Sequence, residues 1–356
     1  MPRHKETARP SLKWKTKLPG VQNAVLPSQT TRPNPLVAGE KVFASLFAPG
    51  SVCAVARGTG KLLWKNSLDS YASSAVFLQK RVLYATSNRT LYALNPDTGS
   101  IHWEYSPQSA TGEWIYSQPA VRAGRVFIGD RSGHFHCLDQ KTGNLLWRRQ
   151  SSRGCNNQVN STALVVGERV ISANNEGVVV CYSVATGKTL WRQRIDGACV
   201  GELLQFQSKV VLAAKSLYAI DLQTGAVRTE LNFPEKTVVS VSVAASRIAL
   251  ILGTDFQSQP SAWNQPSAFN GELVILEGSH EVVRRTLKGT PHVRTCTESG
   301  LLCTVDHSIM SVIDPSDGLE LMSRRGELAL PSFSDGELYG LTREGALFSE
   351  QTSLAR

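Results

Sequence analysis

Apolar and polar residues alternate along most of this chain in runs of three to six, and the runs are cut by short stretches rich in Gly and Asp. Residues 117–150, SQPAVRAGRVFIGDRSGHFHCLDQKTGNLLWRRQ, show the pattern: four alternating runs separated by AG, DRSG and QKTG. Period-two alternation places successive side chains on opposite faces of a strand, and the breaks supply turn residues, so the segment predicts four antiparallel strands joined by tight hairpins. No run approaches the roughly 18 apolar residues that a membrane-spanning helix needs.

The segment recurs. Aligned on the turn glycine, Gly60, Gly99, Gly143, Gly187 and Gly225 are separated by 39, 44, 44 and 38 residues, and Gly318 closes a further copy. Four residues after these glycines stand Trp64, Trp103, Trp147, Trp191, Thr229 and Met322. A degenerate copy, GELVILEGSHEVVRRTL, puts Ser279 in the glycine slot and Val283 in the tryptophan slot, which makes seven units. Asp and Thr side chains bond turn amides, and Gly accepts the positive φ that other residues avoid. A tryptophan at a fixed distance from such a turn offers a flat apolar surface that an isolated four-stranded sheet cannot bury, so it is read as a wedge against the next sheet.

The two ends complete an eighth unit. After the seventh the chain offers ELALPSF, ELYGLTR and ALFSEQTS, three strands without a tryptophan strand, while LKWKTKL near the start is a tryptophan strand with nothing before it. Trp14 is followed at +4 by Leu18, as Trp64 is by Leu68, Trp191 by Ile195 and Val283 by Leu287. The expectation is an all-β chain: an eight-bladed β-propeller of four-stranded antiparallel blades, closed by its N-terminal strand, which removes open end edges. Residues 1–11 are read as a basic flexible tail and 12–353 as one propeller domain, in which 12–19 supply the outer strand of the last blade and 254–270 form a loop insertion in blade six.

The D-x-x-T-G-x-x-x-W signature resembles the PQQ-like (quinoprotein-type) β-propeller repeat, over residues 12 to 353. The single-domain, N-strand-closed layout is similar to BamB-like propellers of the bacterial outer-membrane assembly machinery. The repeat specifies fold far more than function. What the resemblance implies includes an enzyme alternative, since quinoprotein dehydrogenases hold pyrroloquinoline quinone and calcium on such propellers. They are longer and carry a vicinal Cys-Cys disulfide, which this chain lacks, and none of their catalytic or calcium-binding residues falls on a matching motif. The expectation is a non-enzyme with no cofactor.

Charge changes the picture little at this stage. The formal net charge is +9, of which residues 1–17 carry six basic side chains against Glu6, leaving +4 for the other 339 residues, read as scattered. Nucleic-acid binding is therefore expected only weakly, through the tail. Seven cysteines without an adjacent pair point to free thiols in a reducing compartment, with Cys53, Cys137 and Cys181 at strand positions acting as small hydrophobes. As written, the first residues show neither an apolar signal core nor a lipobox cysteine, so a cytoplasmic location and no membrane partner are expected. His134 and His136 share a strand face and could hold a metal, but two ligands are too few, and surface histidines are the preferred reading.

The remaining signal lies in loop lengths. Strand order puts the TG turns on one face of the blades, and the strand-two-to-three turns with the inter-blade links on the other. The second face carries the irregular segments: YSPQSATGEWIYSQ with Trp114 and Tyr116, QSSRGCNNQVN with Arg153, Asn156 and Asn157, and GTDFQSQPSAWNQPSAFNGE with Phe256, Trp263 and Phe269. Aromatic, Arg and Asn side chains on one rim have the composition of a protein-binding hot spot. The reading is a non-catalytic interaction scaffold or complex subunit that binds a protein partner on that face. The alternatives are a quinone- or small-ligand-binding propeller, a BamB-like assembly factor, and loops folded over themselves as a plug.

Overall fold

A computed structural model describes residues 10–21, 34–72, 76–107, 115, 117–154, 157–199, 201–244, 246–253, 270–288, 292–295, 300–305, 309–325, 331–342 and 344–352. The fold is all-β. Thirty-two strands form eight four-stranded antiparallel sheets, the blades of an eight-bladed β-propeller. Seven blades take four consecutive strands. The eighth orders Ser11–Lys17 beside Ala346–Gln351, then Glu337–Leu341 and Ser332–Ser334, so the N-terminal strand completes it as the sequence predicts. Packing divides the chain into two compact units, one of Ser45–Cys53 with Trp64–Pro234 and one of Met1–Ala44, Ala54–Leu63 and Glu235–Arg356.

Blade three shows how local sequence makes a blade. Its strands are Ala120–Arg122, Arg125–Gly129, His134–Asp139 and Leu145–Gln150. The two middle strands are buried almost throughout, whereas the fourth buries only Trp147 and leaves Leu145, Leu146, Arg148 and Gln150 exposed. In the TG turn, Asp139 Oδ1 accepts the amides of Lys141 and Thr142 at 3.0 and 2.9 Å and the Thr142 hydroxyl at 3.0 Å. Asp221 does the same for Gln223 and Thr224. The turn adds one residue to the fourth strand, a bulge between the pairs Cys137–Trp147 and Leu138–Leu145. The same register shift recurs at the matching place in blades two, four, five, six and seven.

Each tryptophan of the repeat covers the turn glycine of the following blade. A Cβ on Gly187, whose φ is +66°, would stand 2.6 Å from Trp147 Cδ2, and Trp64, Trp103 and Trp191 face Gly99, Gly143 and Gly225 likewise. The indole also donates a hydrogen bond, always to the carbonyl three residues before that glycine. Trp64 reaches Pro96 O, Trp103 Gln140 O, Trp147 Val184 O and Trp191 Leu222 O, at 3.0–3.1 Å. Glycine is required for two reasons at once, its positive φ and the ring lying on it. A further bond comes from the residue two places after the tryptophan: Asn66 donates to Gly99 O, and Arg149 Nε to Gly187 O at 2.9 Å. Between blades three and four, Phe127, Phe135, Cys137 and Trp147 pack with Val170, Val178, Val180 and Tyr182 as one apolar cluster.

The N-terminal strand uses the same device. Trp14 is 8% exposed, lies over Gly60 and donates to Arg57 O at 2.7 Å, while the Thr16 hydroxyl donates to Gly60 O at 2.7 Å. Leu18 is buried, and its amide bonds Gly345 O. Arg57 in turn donates to the Tyr339 hydroxyl and pairs with Asp335 at 2.7 Å. In the degenerate copy Val283 covers Gly318, and in the seventh Met322 is buried in the tryptophan slot.

The candidate docking end

Within the unit that holds blades two to five, the strand-two-to-three turns and the inter-blade links meet at one end, as strand order predicts. In blades two, three and four one side chain folds the turn. Asp130 Oδ1 accepts the amides of Ser132 and His134 at 3.0 and 2.8 Å. In blade four Asn174 Oδ1 accepts those of Glu176 and Val178 at 3.0 and 2.9 Å, and in blade two Ser87 Oγ accepts those of Arg89 and Thr90. Asx and Ser side chains replace a backbone acceptor in such turns.

The link that follows blade three is stitched to the turns on both sides of it. The Ser151 amide and hydroxyl both donate to Gly133 O, and the Val159 amide donates to Asp130 O. Toward blade four, Asn174 Nδ2 donates to Ser151 and Ser152 Oγ, Ser152 Oγ donates to Glu176 Oε2 at 2.7 Å, and the Asn175 amide donates to Gln158 O. Glu176 also lies against Gly154, with its carboxylate where a Cβ would stand. The described residues of the link are therefore tied to both blades. Arg153 is exposed on it.

Asn157 has another place. It is buried, its Nδ2 donates to Ser152 O at 3.0 Å, and its side chain lies where a Cβ on Gly133 would go. It braces the link instead of standing on its rim. Trp114, Tyr116, Asn156, Phe256, Trp263 and Phe269 lie outside the described residues. The structure thus places Arg153 and Asn157 on one link, the first facing solvent and the second facing the turn.

The two histidines also separate. His134 Nδ1 is 2.7 Å from Ser132 Oγ. His136 is fully buried, which corrects the expectation of a surface histidine: its Nε2 is 2.7 Å from Asp130 Oδ2 and its Nδ1 3.0 Å from the Tyr105 hydroxyl of the preceding blade. Burial opposes charge on Asp130, but the bond and charge of His136, the His134 amide and the Ser132 hydroxyl hold its carboxyl below the usual carboxylate range. Sequence reasoning missed this network and Glu176. The signal was an acceptor, Asp130 or Asn174, at the start of the turns of blades three and four.

Thiol chemistry is muted. Cys53, Cys137, Cys181, Cys199 and Cys303 are all buried. Burial pushes the thiols of Cys137 and Cys199 up to about 12 and that of Cys181 to about 11, so they stay protonated. Among the described residues, no three or more His, Cys, Asp and Glu side chains converge.

The family whose sequence profile matches is described as outer membrane protein assembly factor BamB, over two overlapping stretches, residues 48–232 and 158–288. BamB from Legionella pneumophila (strain Paris) is 29% identical over 104 residues, 29% of this chain, and the match spans 26% of that relative's length. BamB from Moraxella catarrhalis superposes with a TM-score of 0.67 at 14% identity, covering 98% of this chain and 99% of that one. The computationally designed Ika8 protein gives 0.74 at 16% identity over 96% and 99%. Quinohemoprotein alcohol dehydrogenase from Comamonas testosteroni also gives 0.74, at 13% identity, over 96% of this chain and 76% of its own. At these identities the structural likenesses report the fold alone.

Proposed function

Because the chain belongs to the outer membrane protein assembly factor BamB family, we propose that it is a non-catalytic interaction scaffold, a subunit that docks a protein partner at the end where links and turns meet. The observation that carries this reading is the link between blades three and four, in residues 151–154 and 157–162. Bonds at Ser151, Ser152, Gln158 and Val159 tie it to the turns of two blades, and Arg153 is exposed on it. A pre-ordered loop pays little conformational entropy on binding, and an exposed Arg on such a loop is a suitable anchor. The buried, protonated thiols fit a structural role. They also accord with a reducing compartment, so the chain is expected in the cytosol; recovery in the envelope would favour the assembly-factor form of the same scaffold reading.

The test is affinity capture from cells of origin with the tagged full chain, followed by mass spectrometry. Arg153→Glu should reduce recovery of the specific partner by about tenfold or more while leaving Tm unchanged. Lys188→Glu, on the TG-turn end, should capture normally. Equal capture by Arg153→Glu and wild type, with Lys188→Glu deficient, would place the interface elsewhere.

A further inference from the structure

The basic charge of this chain is not scattered, as its sequence suggests, but sorted by strand position. The eight fourth strands, those bearing the tryptophan slot, contain fourteen Lys and Arg and four Glu, a net of +10 against +9 for the whole chain. Everything else is close to neutral. In blades three and four the sorting is complete, since Leu145–Gln150 and Thr189–Arg194 carry two Arg each and no carboxylate.

These are edge strands, each hydrogen-bonded to a neighbour on one side only. On the blade-four edge, Arg192 and Arg194 stand two apart and are both exposed, and Leu190, the residue that the bulge inserts, is 44% exposed. Trp191, between Leu190 and Arg192, is buried on the other face, over Gly225. In blade three Arg149 is committed to the Gly187 and Thr186 carbonyls. On blade four no hydrogen bond or ion pair engages the side chains of Arg192 and Arg194 among the described residues. A strand edge offers a row of main-chain donors and acceptors that only another polypeptide strand matches. Like charges keep a second copy of the same edge away.

We propose that the Thr189–Arg194 edge of blade four is a docking strand for an extended acidic segment of a partner protein, added as a fifth strand. Residues two apart on a strand lie about 6.6–6.8 Å apart on one face, so a segment with a carboxylate at every second position meets Arg192 and Arg194 in register. The main chain supplies affinity and the two guanidinium groups select the charge. This surface is separate from the link bearing Arg153, and its test is independent of that reading.

The experiment uses the full chain and a fluorescein-labelled, acetylated eight-residue peptide that alternates Glu and Val. Anisotropy should report saturable binding that weakens with salt. Deuterium exchange should slow in Thr189–Arg194. Arg192→Glu with Arg194→Glu should weaken binding by about tenfold or more, and so should methylation of alternate peptide nitrogens, which removes main-chain donors but keeps charge. If the double reversal lowers Tm, Arg192→Gln with Arg194→Gln is the substitute and should still weaken binding. No binding, unchanged binding by the variants, or equal binding of the N-methylated peptide overturns the proposal. So does reversal-sensitive binding of phosphatidylglycerol vesicles or oligothymidylate in place of the peptide, which would assign the edge to lipid or nucleic acid.

Discussion

Replacing Trp14 tests the claim that the N-terminal strand is a full structural member of blade eight. Its indole is 8% exposed, lies over Gly60 and bonds Arg57 O at 2.7 Å. Truncating a buried aromatic to Ala costs about 3–5 kcal/mol in transfer and cavity terms. At about 2.1 cal/mol/K per residue, cooperative unfolding of 356 residues has an entropy near 0.75 kcal/mol/K. Trp14→Ala should therefore lower Tm by about 4–7 °C. Trp14→Phe keeps most of the ring and loses mainly one hydrogen bond, about 1 kcal/mol, so its drop should be about 1–2 °C. Leu12→Ala is the control, on the same strand but 58% exposed, and should move Tm by less than about 1 °C. Scanning calorimetry of the three variants gives the ordering. If Trp14→Ala melts with Leu12→Ala, the indole is not a wedge and the strand is an accessory.

Three other outcomes follow from the same packing. Gly187→Ala should destabilise by more than the roughly 1 kcal/mol of a positive-φ penalty, because its Cβ meets Trp147, and combining it with Trp147→Ala should recover the excess in a urea double-mutant cycle. Asp130 titrates below its unfolded value, so its carboxylate adds stability that is complete above the ordinary Asp pKa and fades as pH falls through the lower folded value. The urea midpoint of the wild type should thus exceed that of Asp130→Asn by a constant margin at neutral pH, narrowing below about pH 4. With Cys155 and Cys296 changed to Ser, the five buried thiols should resist maleimide in native buffer and react fully in denaturant, and labelling of any of them in the native state would contradict the burial described above.

Much of the candidate docking end was legible in part only. That turns and links share an end follows from strand order, and the sequence carried it. The division of labour within the link did not show, because Arg153 and Asn157 are both polar loop residues and only the position of Gly133 decides which is covered. His136 misled for a related reason. Alternation puts it on the same strand face as His134, but the aromatic edge of Tyr105 arrives from a different blade and buries one and not the other. The charge sorting was readable in principle from the LLWRRQ and TLWRQR strands, but counting charge by chain segment instead of by strand position conceals it.

By itself the sequence determined what depends on short covalent spacing: the hairpin turns, the number of blades, the glycine–tryptophan interval, and the pairing of the first strand with the last. These features are local, or they repeat, and repetition turns a weak local signal into a strong one. Tertiary structure decided which carbonyl each repeat indole bonds, which polar residue of a link is buried, and which edge carries arginines without a hydrogen bond or ion pair among the described residues. Those outcomes depend on groups brought together from neighbouring blades some 40 residues apart, where no period along the chain records which side chain will be covered.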